Sequence, residues 1–180
     1  LVDLRAGLRS DLTAIALAGY GCELTEKLLH EGQSHAEVYH LLRALLDHVA
    51  EAGGSFEARL LFELRLLHLS GYAPHLGHCS ECGGGLPGEE AWFSAEHGGS
   101  LCGGCVRGKA ALSVYPPILG TLARCLQTPM DLFAGFRFSA RTVTEATGVL
   151  GDALRQHLSA PPKSLTFLEQ ALAEADRDKV

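Results

Sequence analysis

Apolar residues recur at steps of three and four along most of the chain, the spacing that places side chains on one face of an α-helix. The first such stretch carries Leu4, Leu8, Leu12, Ile15, Leu24, Leu28 and Leu29. A second stretch carries Val38, Leu41, Leu42, Leu45 and Val49. The two patterns predict two amphipathic helices that pack through their apolar faces.

Polar residues and glycines indicate where the early helices begin and end. Ser34 precedes Glu37 by three residues, a capping box that predicts the start of the second helix. A third helix is expected from Ser55, with Gly71 past its end and Pro74 preventing its continuation. Its leucines lie on more than one face, which is typical of a deeply buried helix: Leu60, Leu61, Leu64, Leu66 and Leu67.

Three more helices are predicted in the second half of the chain. One opens at Tyr115-Pro116-Pro117, because proline is tolerated in a first helical turn. Another begins near Ser139, and the last runs from about Ser164. The inward residues of these helices are Ile118, Leu119, Leu122, Leu126, Val143, Leu150, Leu154, Leu158, Phe167, Leu168, Ala171 and Leu172.

The fold expected from this pattern is all-α, a bundle of about six helices with an inserted zinc-ribbon-like lobe. Residues 1–74 and 109–180 would form the bundle, and residues 75–108 the lobe. Within the lobe, Ala91–Ser94 predicts one short strand because glycine-containing turns lie on either side.

Four cysteines indicate what holds the lobe together. Cys79 and Cys82 form one Cys-x-x-Cys pair, Cys102 and Cys105 form another, and nineteen residues separate the pairs. This spacing is typical of one tetrahedral zinc ion held by four thiolates. Because four protein ligands leave no open position, we expect a single structural Zn²⁺ ion and not a catalytic one.

Other uses of these residues are less favoured. Two redox dithiols would each be expected at a helix start beside a sheet, and the context of the pairs shows neither. His78 directly precedes Cys79 and could replace a cysteine ligand, although four thiolates already complete the coordination sphere. Cys22 and Cys125 lie in apolar helical stretches and are expected to be small buried hydrophobic residues.

Composition limits the classes of protein to which the chain can belong. Its 180 residues carry a formal charge of −6, which argues against a uniformly basic nucleic-acid-binding surface but not against a local basic patch. No apolar run is long enough to cross a bilayer, and no signal peptide is visible, so the cytoplasm is the expected compartment. Because the chain begins with Leu1, we expect it to be a piece of a longer polypeptide.

No catalytic motif is found in the sequence, which predicts a protein that is not an enzyme. It contains no zinc-protease helix motif, no phosphate-binding glycine loop and no nucleophile elbow. Glu57 and Glu63 on the third helix are interpreted as part of a solvated face. The candidate phosphate-contacting residues are seven cations of the later half: Arg107, Lys109, Arg124, Arg137, Arg141, Arg155 and Lys163.

The segment from Phe62 to Pro74 reads Phe-Glu-Leu-Arg-Leu-Leu-His-Leu-Ser-Gly-Tyr-Ala-Pro and runs into Cys79-Ser80-Glu81-Cys82-Gly83. It resembles the family of bacterial recombination mediators called RecO, which shows a Phe-Glu-Leu-Arg-Leu-Leu helix, then Gly-Tyr-x-Pro, then a first metal-binding pair. Residues 8–12 and 23–28 also resemble the first bundle helix of that family.

The resemblance implies a fold and a function. Members have an N-terminal OB-fold, which would be missing from this chain, followed by a helical domain into which many set a four-cysteine lobe. They bind single- and double-stranded DNA, anneal complementary strands, and work with RecR to help RecA displace single-strand-binding protein during gap repair. The implied location is the bacterial cytoplasm, at the nucleoid. The alternative is a structural or protein-interaction zinc module that does not contact DNA.

One segment departs from the family pattern. Near the C-terminus, members often show Lys-Ser-Arg followed by a basic residue and Phe-Leu, whereas this chain has Lys163-Ser164-Leu165-Thr166-Phe167-Leu168. Two positive charges expected from the family are absent here, which weakens the case for phosphate contact by this helix.

Overall fold

The computed structural model describes residues 6–29 and 36–177. The helices in this part of the chain are α1 (Leu12–Leu28), α2 (Ala36–Ala52), α3 (Phe56–Leu69), α4 (Pro116–Cys125), α5 (Ala140–Arg155) and α6 (Leu165–Arg177). Short 3-10 turns cover Ala6–Arg9 and Ala95–His97. The predicted capping box at Ser34 lies outside the described residues.

Three strands form an antiparallel sheet in the order β2-β1-β3: β1 (Ala91–Ser94), β2 (Gly99–Leu101) and β3 (Leu112–Val114). Trp92 at the centre of β1 lies opposite Leu101 on β2 and Ser113 on β3. The predicted strand at Ala91–Ser94 is confirmed as β1.

The sheet shows that the expectation of an all-α fold was wrong, because six helices are combined with three paired strands in a mixed α and β structure. β2 and β3 are three residues each, too short to show the alternation that reveals a strand in a sequence. The inner residues of the sheet, Ala91, Phe93 and Val114, belong to the same buried cluster as the helices.

α3 lies at the centre of the bundle, as its leucine pattern predicted. Ser55 caps its start by accepting a hydrogen bond from the Ala58 amide, and Gly71 adopts the left-handed conformation past its end, at φ 79°. Every residue from Ala58 to Leu67 is buried. The helix is therefore surrounded on all sides and fixes where the other elements pack.

Three apolar positions expected in the core are exposed instead. Leu12 and Ile15 are 53% and 46% exposed, and Phe167 on α6 is 43% exposed. The predicted first helix is interrupted at Asp11, whose carboxylate accepts hydrogen bonds from the amides of Thr13 and Ala14 and so starts α1 anew. The periodicity read from Leu4 onward therefore did not continue in register, and Ala14, Leu17 and Leu24 form the buried face.

Three charged side chains of α3 lie in the core, those of Arg59, Glu63 and Arg65, so the interpretation of Glu63 as a solvated residue was wrong. Glu63 accepts a hydrogen bond of 2.6 Å from the Tyr20 hydroxyl and another of 2.9 Å from Arg59 Nε. Burial opposes the Arg59 cation, but the Glu63 carboxylate outweighs it and raises the pKa of Arg59 above its ordinary value. Burial, with Glu63 beside it, also raises the pKa of Tyr20.

Arg65, also on α3, joins segments that are distant in the sequence. Its guanidinium donates to the Leu132 carbonyl at 2.8 Å and to the Thr128 hydroxyl at 2.9 Å, and it lies 5.0 Å from the ring centre of Phe133. These contacts offset most of the cost of burying the charged guanidinium. The chain before the sheet is thereby fixed to the connector between α4 and α5.

Of the two cysteines outside the pairs, Cys125 is buried as expected, whereas Cys22 is exposed. No helix in the ranges that the structure describes combines the length and apolarity needed to span a bilayer.

Candidate metal centre

The first cysteine pair lies in a tight turn just after the bundle. The Cys79 amide donates to the Gly84 carbonyl at 2.8 Å, and the Gly83 amide returns a bond of 3.0 Å to the Cys79 carbonyl. Gly83 has a φ of 69°, a conformation that favours glycine. This turn, the first knuckle, directs the Cys79 and Cys82 sulfurs to the same point.

The second pair forms a similar turn after β2, which we call the second knuckle. The Cys102 carbonyl accepts hydrogen bonds of 3.0 Å from the amides of both Cys105 and Val106. The two intervening glycines, Gly103 and Gly104, leave the backbone unobstructed beside the sulfurs. The first knuckle precedes β1 and the second follows β2, so each supplies two sulfurs at the same end of the β1–β2 hairpin.

The four sulfurs come together as one cluster. The Sγ atoms of Cys79, Cys82, Cys102 and Cys105 all lie within 4.8 Å of one another. The Cys82 and Cys102 sulfurs are 3.8 Å apart, whereas a disulfide would bring them to about 2.05 Å. Four sulfurs at about 2.3 Å from a tetrahedral zinc ion would be separated by about 3.8 Å, so the cluster fits that ion.

Backbone amides favour ionised sulfur in this cluster. Burial works against the Cys79 thiolate, but hydrogen bonds from the amides of Cys82, Cys102 and Glu81 outweigh it and lower the pKa of Cys79 to about 6. Amides of Cys105 and Gly104 likewise lower the pKa of Cys102. Hydrogen bonding to the other three sulfurs, first that of Cys102, raises the pKa of Cys105 to about 12. Cys105 therefore keeps its thiol proton beside the other three sulfurs. A metal cation bound by all four sulfurs would take the place of that proton.

The first knuckle is bound to the β1–β2 turn. Ser80 donates from its amide to the Ser100 carbonyl at 2.8 Å and from its hydroxyl to the His97 carbonyl at 2.8 Å. The His75 backbone bonds to Gly98 and Ser100 on the same turn. Gly99 is required here, because a Cβ at this position would lie 2.3 Å from the His75 carbonyl oxygen.

Two carboxylates of α5 hold the sheet against the bundle. Asp152 accepts a hydrogen bond of 2.9 Å from the Ala95 amide, just after β1. Glu145 accepts one of 2.7 Å from the Tyr115 amide, just after β3. These residues position the metal centre, and sequence reasoning missed both, because an acidic residue on an amphipathic helix normally indicates only a solvated face.

Histidine takes no part in the cluster within the described residues. The ring of His78 packs edge-on against that of His75, with 3.9 Å between ring centres. His97 Nδ1 lies 3.0 Å from the Ser94 hydroxyl. The prediction of an all-cysteine ligand set is therefore compatible with the geometry.

The structure does not bring the seven candidate phosphate-contacting cations into one patch. Arg141 and Arg155 lie at opposite ends of α5, separated by about 21 Å of helix. Arg124 is on α4, Arg107 and Lys109 follow the second knuckle, and the last two candidates, Arg137 and Lys163, precede α5 and α6.

Several of these cations already have partners. Lys109 forms an ion pair with Glu81, Arg155 with Asp152 at 3.1 Å, and Arg141 with Glu145 at 2.6 Å. Arg141 also lies 4.4 Å from the ring centre of Tyr115.

The other four are less engaged. Arg124 donates to Thr121, and Arg137 to the backbone carbonyl of Phe136. Arg107 and Lys163 are exposed, and neither side chain forms an ion pair within residues 6–29 and 36–177. Arg107 and Lys163 are thus the cations most available to an outside anion.

Comparisons with known proteins agree with the resemblance. A family model described as "Recombination protein O C terminal" matches residues 9–166. The chain is 53% identical over 170 residues to the DNA repair protein RecO of Syntrophotalea carbinolica, covering 94% of this chain and 66% of that protein. It is 38% identical over 164 residues to the DNA repair protein RecO of Desulforudis audaxviator, covering 91% and 65%. The chain therefore spans about two thirds of the length of these curated relatives.

Proposed function

The chain belongs to the RecO family of DNA repair proteins, and we propose that it forms the helical and zinc-binding part of a DNA-binding recombination mediator. The observation that carries this proposal is the family match over residues 9–166, which includes α3, both knuckles and the sheet between them.

We propose that the cluster of Cys79, Cys82, Cys102 and Cys105 binds one structural Zn²⁺ ion. The sulfur spacing, the amides that favour ionised thiolates and the softness of the donor set all support zinc. The ion would supply cohesion to a lobe whose knuckles have few apolar side chains. The residues of the chain orient the sulfurs; the ion performs no reaction.

We propose further that the protein is not an enzyme. Four protein ligands would leave no position on the ion for water or substrate, which supports a structural role. The sequence also contains none of the catalytic motifs sought.

For the whole protein, the family supports annealing of complementary strands and action with RecR on single strands coated with single-strand-binding protein, so that RecA can load. We propose this role in gap repair, in the bacterial cytoplasm at the nucleoid. Single- and double-stranded DNA would be the ligands, and RecR, single-strand-binding protein and, indirectly, RecA the partners.

Within this chain, Arg107 and Lys163 are proposed as the first contacts for phosphate, because they are exposed and their side chains form neither an ion pair nor a hydrogen bond with the other described residues, whereas Arg124 and Arg137 donate hydrogen bonds. The ion-paired Lys109, Arg141 and Arg155 would have to exchange a protein partner for DNA. Since exposed ion pairs contribute little, that exchange is feasible but less favourable.

The protein-interaction alternative has support of its own. The formal charge of −6 and the pairing of three candidate cations both disfavour a phosphate surface. In this alternative the bundle and lobe would bind partners, and DNA contact would belong to other parts of the protein.

Salt-dependent binding of a fluorescent single-stranded oligonucleotide separates the two proposals. DNA contact predicts that log K falls linearly with log[salt], and that Arg107→Ala with Lys163→Ala reduces the slope by about 1.4 for a single strand. Arg155→Ala, which removes an ion-paired cation, serves as the matched control and should change the slope less. An absent or salt-independent signal would support the protein-interaction alternative for this chain.

A further inference from the structure

Beside the metal centre lies an open groove with a cavity volume of about 420 Å³. Its apolar side chains are Leu86, Pro87 and Trp92, and the sulfurs of Cys82 and Cys102 line one end. Glycine backbone forms much of the remaining wall, so the space is not filled by side chains. Glu90 is the one charged residue among the described residues that line the groove.

Trp92 is placed at this groove by the pleat of β1. Its neighbours Ala91 and Phe93 are fully buried against the bundle, so Trp92 lies on the opposite face of the sheet and is only partly buried. A Cβ on Gly103 would lie 3.3 Å from the indole ring, which shows that the second knuckle packs closely along the indole. The rest of the ring is available to the groove.

Residues 85–87 of the segment 85–89 form the other wall, and the backbone of the whole segment is free of hydrogen bonds to other described residues. It has no helical or strand structure, and its amides and carbonyls make no hydrogen bond with the rest of the described chain. Gly85 and Pro87 line the groove directly. An extended peptide lying beside such a segment can pair with its free backbone groups.

Charge indicates the kind of peptide that fits. The acidic residues of positions 75–111 are Glu81, Glu89, Glu90 and Glu96, whereas Arg107 and Lys109 are the arginine and lysine of this range. Lys109 is already paired with Glu81. A zinc ion held by four thiolates would add further negative charge at the end of the groove. A phosphate backbone would therefore be repelled, whereas a basic side chain could lie over the indole and near the Glu90 carboxylate.

We propose that the groove between segment 85–89 and the second knuckle is a docking site for an extended, basic segment of a partner protein. Trp92 would receive an arginine or lysine side chain, Glu90 would pair with it, and segment 85–89 would pair with the peptide backbone. This role lies beyond DNA contact, and it assumes that the metal-bound lobe is folded.

The proposal is directly testable because Trp92, the single tryptophan of the chain, lines this groove and supplies the indole fluorescence of the protein. The zinc-loaded protein is titrated with the acetylated peptide amide Val-Arg-Val-Arg-Val, with its glutamate counterpart, and with hexathymidylate. A saturable change with the arginine peptide, at a dissociation constant of about 1 mM or tighter, is the expected result. No saturation with it, or saturation with hexathymidylate or the glutamate peptide instead, would overturn the proposal.

Three variants locate the binding. Gly85→Leu should place a side chain in the groove and weaken peptide binding by about tenfold or more. The leucine can be accommodated without a clash, because no heavy atom lies within 4 Å of the Cβ position of Gly85. Glu90→Gln keeps an acceptor for the Ser113 hydroxyl and should weaken binding by about fivefold. Gly77→Leu, equally open but outside the groove, should bind as the parent does.

Zinc content is measured for every variant, so that a lost metal is distinguished from a lost contact. A zinc-loaded Gly85→Leu protein that binds the arginine peptide as well as the parent would refute the assigned groove. If the parent protein itself lacks zinc, the proposed metal site fails first, and the titration then tests the docking proposal without the ion's added charge.

Discussion

Arg59 and Glu63 form an ion pair of 2.9 Å in which the two side chains are only 5% and 1% exposed. The two residues lie one turn apart on α3, and the Glu63 carboxylate also accepts a hydrogen bond from the Tyr20 hydroxyl of α1. A charge pair inside a bundle is not in itself stabilising, because both ions lose their hydration. Removing Glu63 is nevertheless costly, because the buried Arg59 then keeps only the half-exposed Glu169 carboxylate, 3.4 Å away, as a charged partner.

We therefore expect Glu63→Ala to lower the free energy of unfolding by about 3 kcal/mol, as measured by urea denaturation. Arg43 and Asp47 provide a matched control, an ion pair with the same spacing on α2 whose side chains are 59% and 44% exposed. Arg43→Ala should cost about 0.5 kcal/mol or less. Equal losses for the two variants would contradict the importance assigned to the buried pair.

Removal of a metal ligand should unfold the lobe. The protein is expected to hold one zinc ion per chain by elemental analysis, and Cys102→Ser should lose it together with the fixed structure around the sheet. Cys125→Ser, which alters a buried cysteine on α4, should retain the ion. Failure to detect zinc in the parent protein, or detection of disulfides between these cysteines, would contradict the proposed site.

Asp152 should determine how tightly the sheet is held on α5. Asp152→Ala removes the acceptor of the Ala95 amide, so hydrogen exchange at that amide should accelerate by about tenfold or more, as a lost bond of about 1.4 kcal/mol would allow. Arg155→Ala removes only the exposed partner of Asp152 and should leave the exchange rate close to that of the parent. If exchange is unchanged in Asp152→Ala, the contact does not hold the sheet.

Glu23 should make stability depend on pH in the acid range. Hydrogen bonds from the Ser164 hydroxyl and amide and from the Lys163 amide lower the pKa of Glu23 to about 2. A carboxyl whose pKa is lower in the folded protein stabilises it above the unfolded pKa of about 4.3, and that contribution is lost as the pH falls toward 2.

The parent protein should therefore lose more stability between about pH 5 and pH 2 than Glu23→Gln does, in urea denaturation at each pH. Glu26→Gln, on the exposed face of the same helix, is the control and should follow the parent. A parallel pH dependence of the parent and Glu23→Gln would show that Glu23 does not anchor the start of α6.

The helices could be predicted from sequence because caps and apolar steps act locally. Ser55, Ser139 and Tyr115-Pro116 mark the starts of α3, α5 and α4 as expected. The grouping of the four cysteines likewise followed from their spacing, since each pair occupies one turn.

The features that sequence reasoning missed depend on contacts between distant residues. β2 and β3 are strands because β1 lies between them, and three residues alone carry no strand pattern. Glu63 is buried because Tyr20, forty-three residues earlier, meets it. Leu12 and Ile15 are exposed because Asp11 restarts the helix, a change of register that apolar spacing does not reveal.

The sequence separation between Arg65 and its hydrogen-bond acceptor has a consequence for the order in which the protein folds during synthesis. Its acceptor, the Leu132 carbonyl, follows it by sixty-seven residues, with both knuckles and all three strands in between. On the ribosome, α3 emerges long before that acceptor, and its guanidinium must remain hydrated until the connector arrives. The contacts of Arg65 can therefore form only after the lobe has been synthesised, which would give the four cysteines time to bind the proposed zinc ion first.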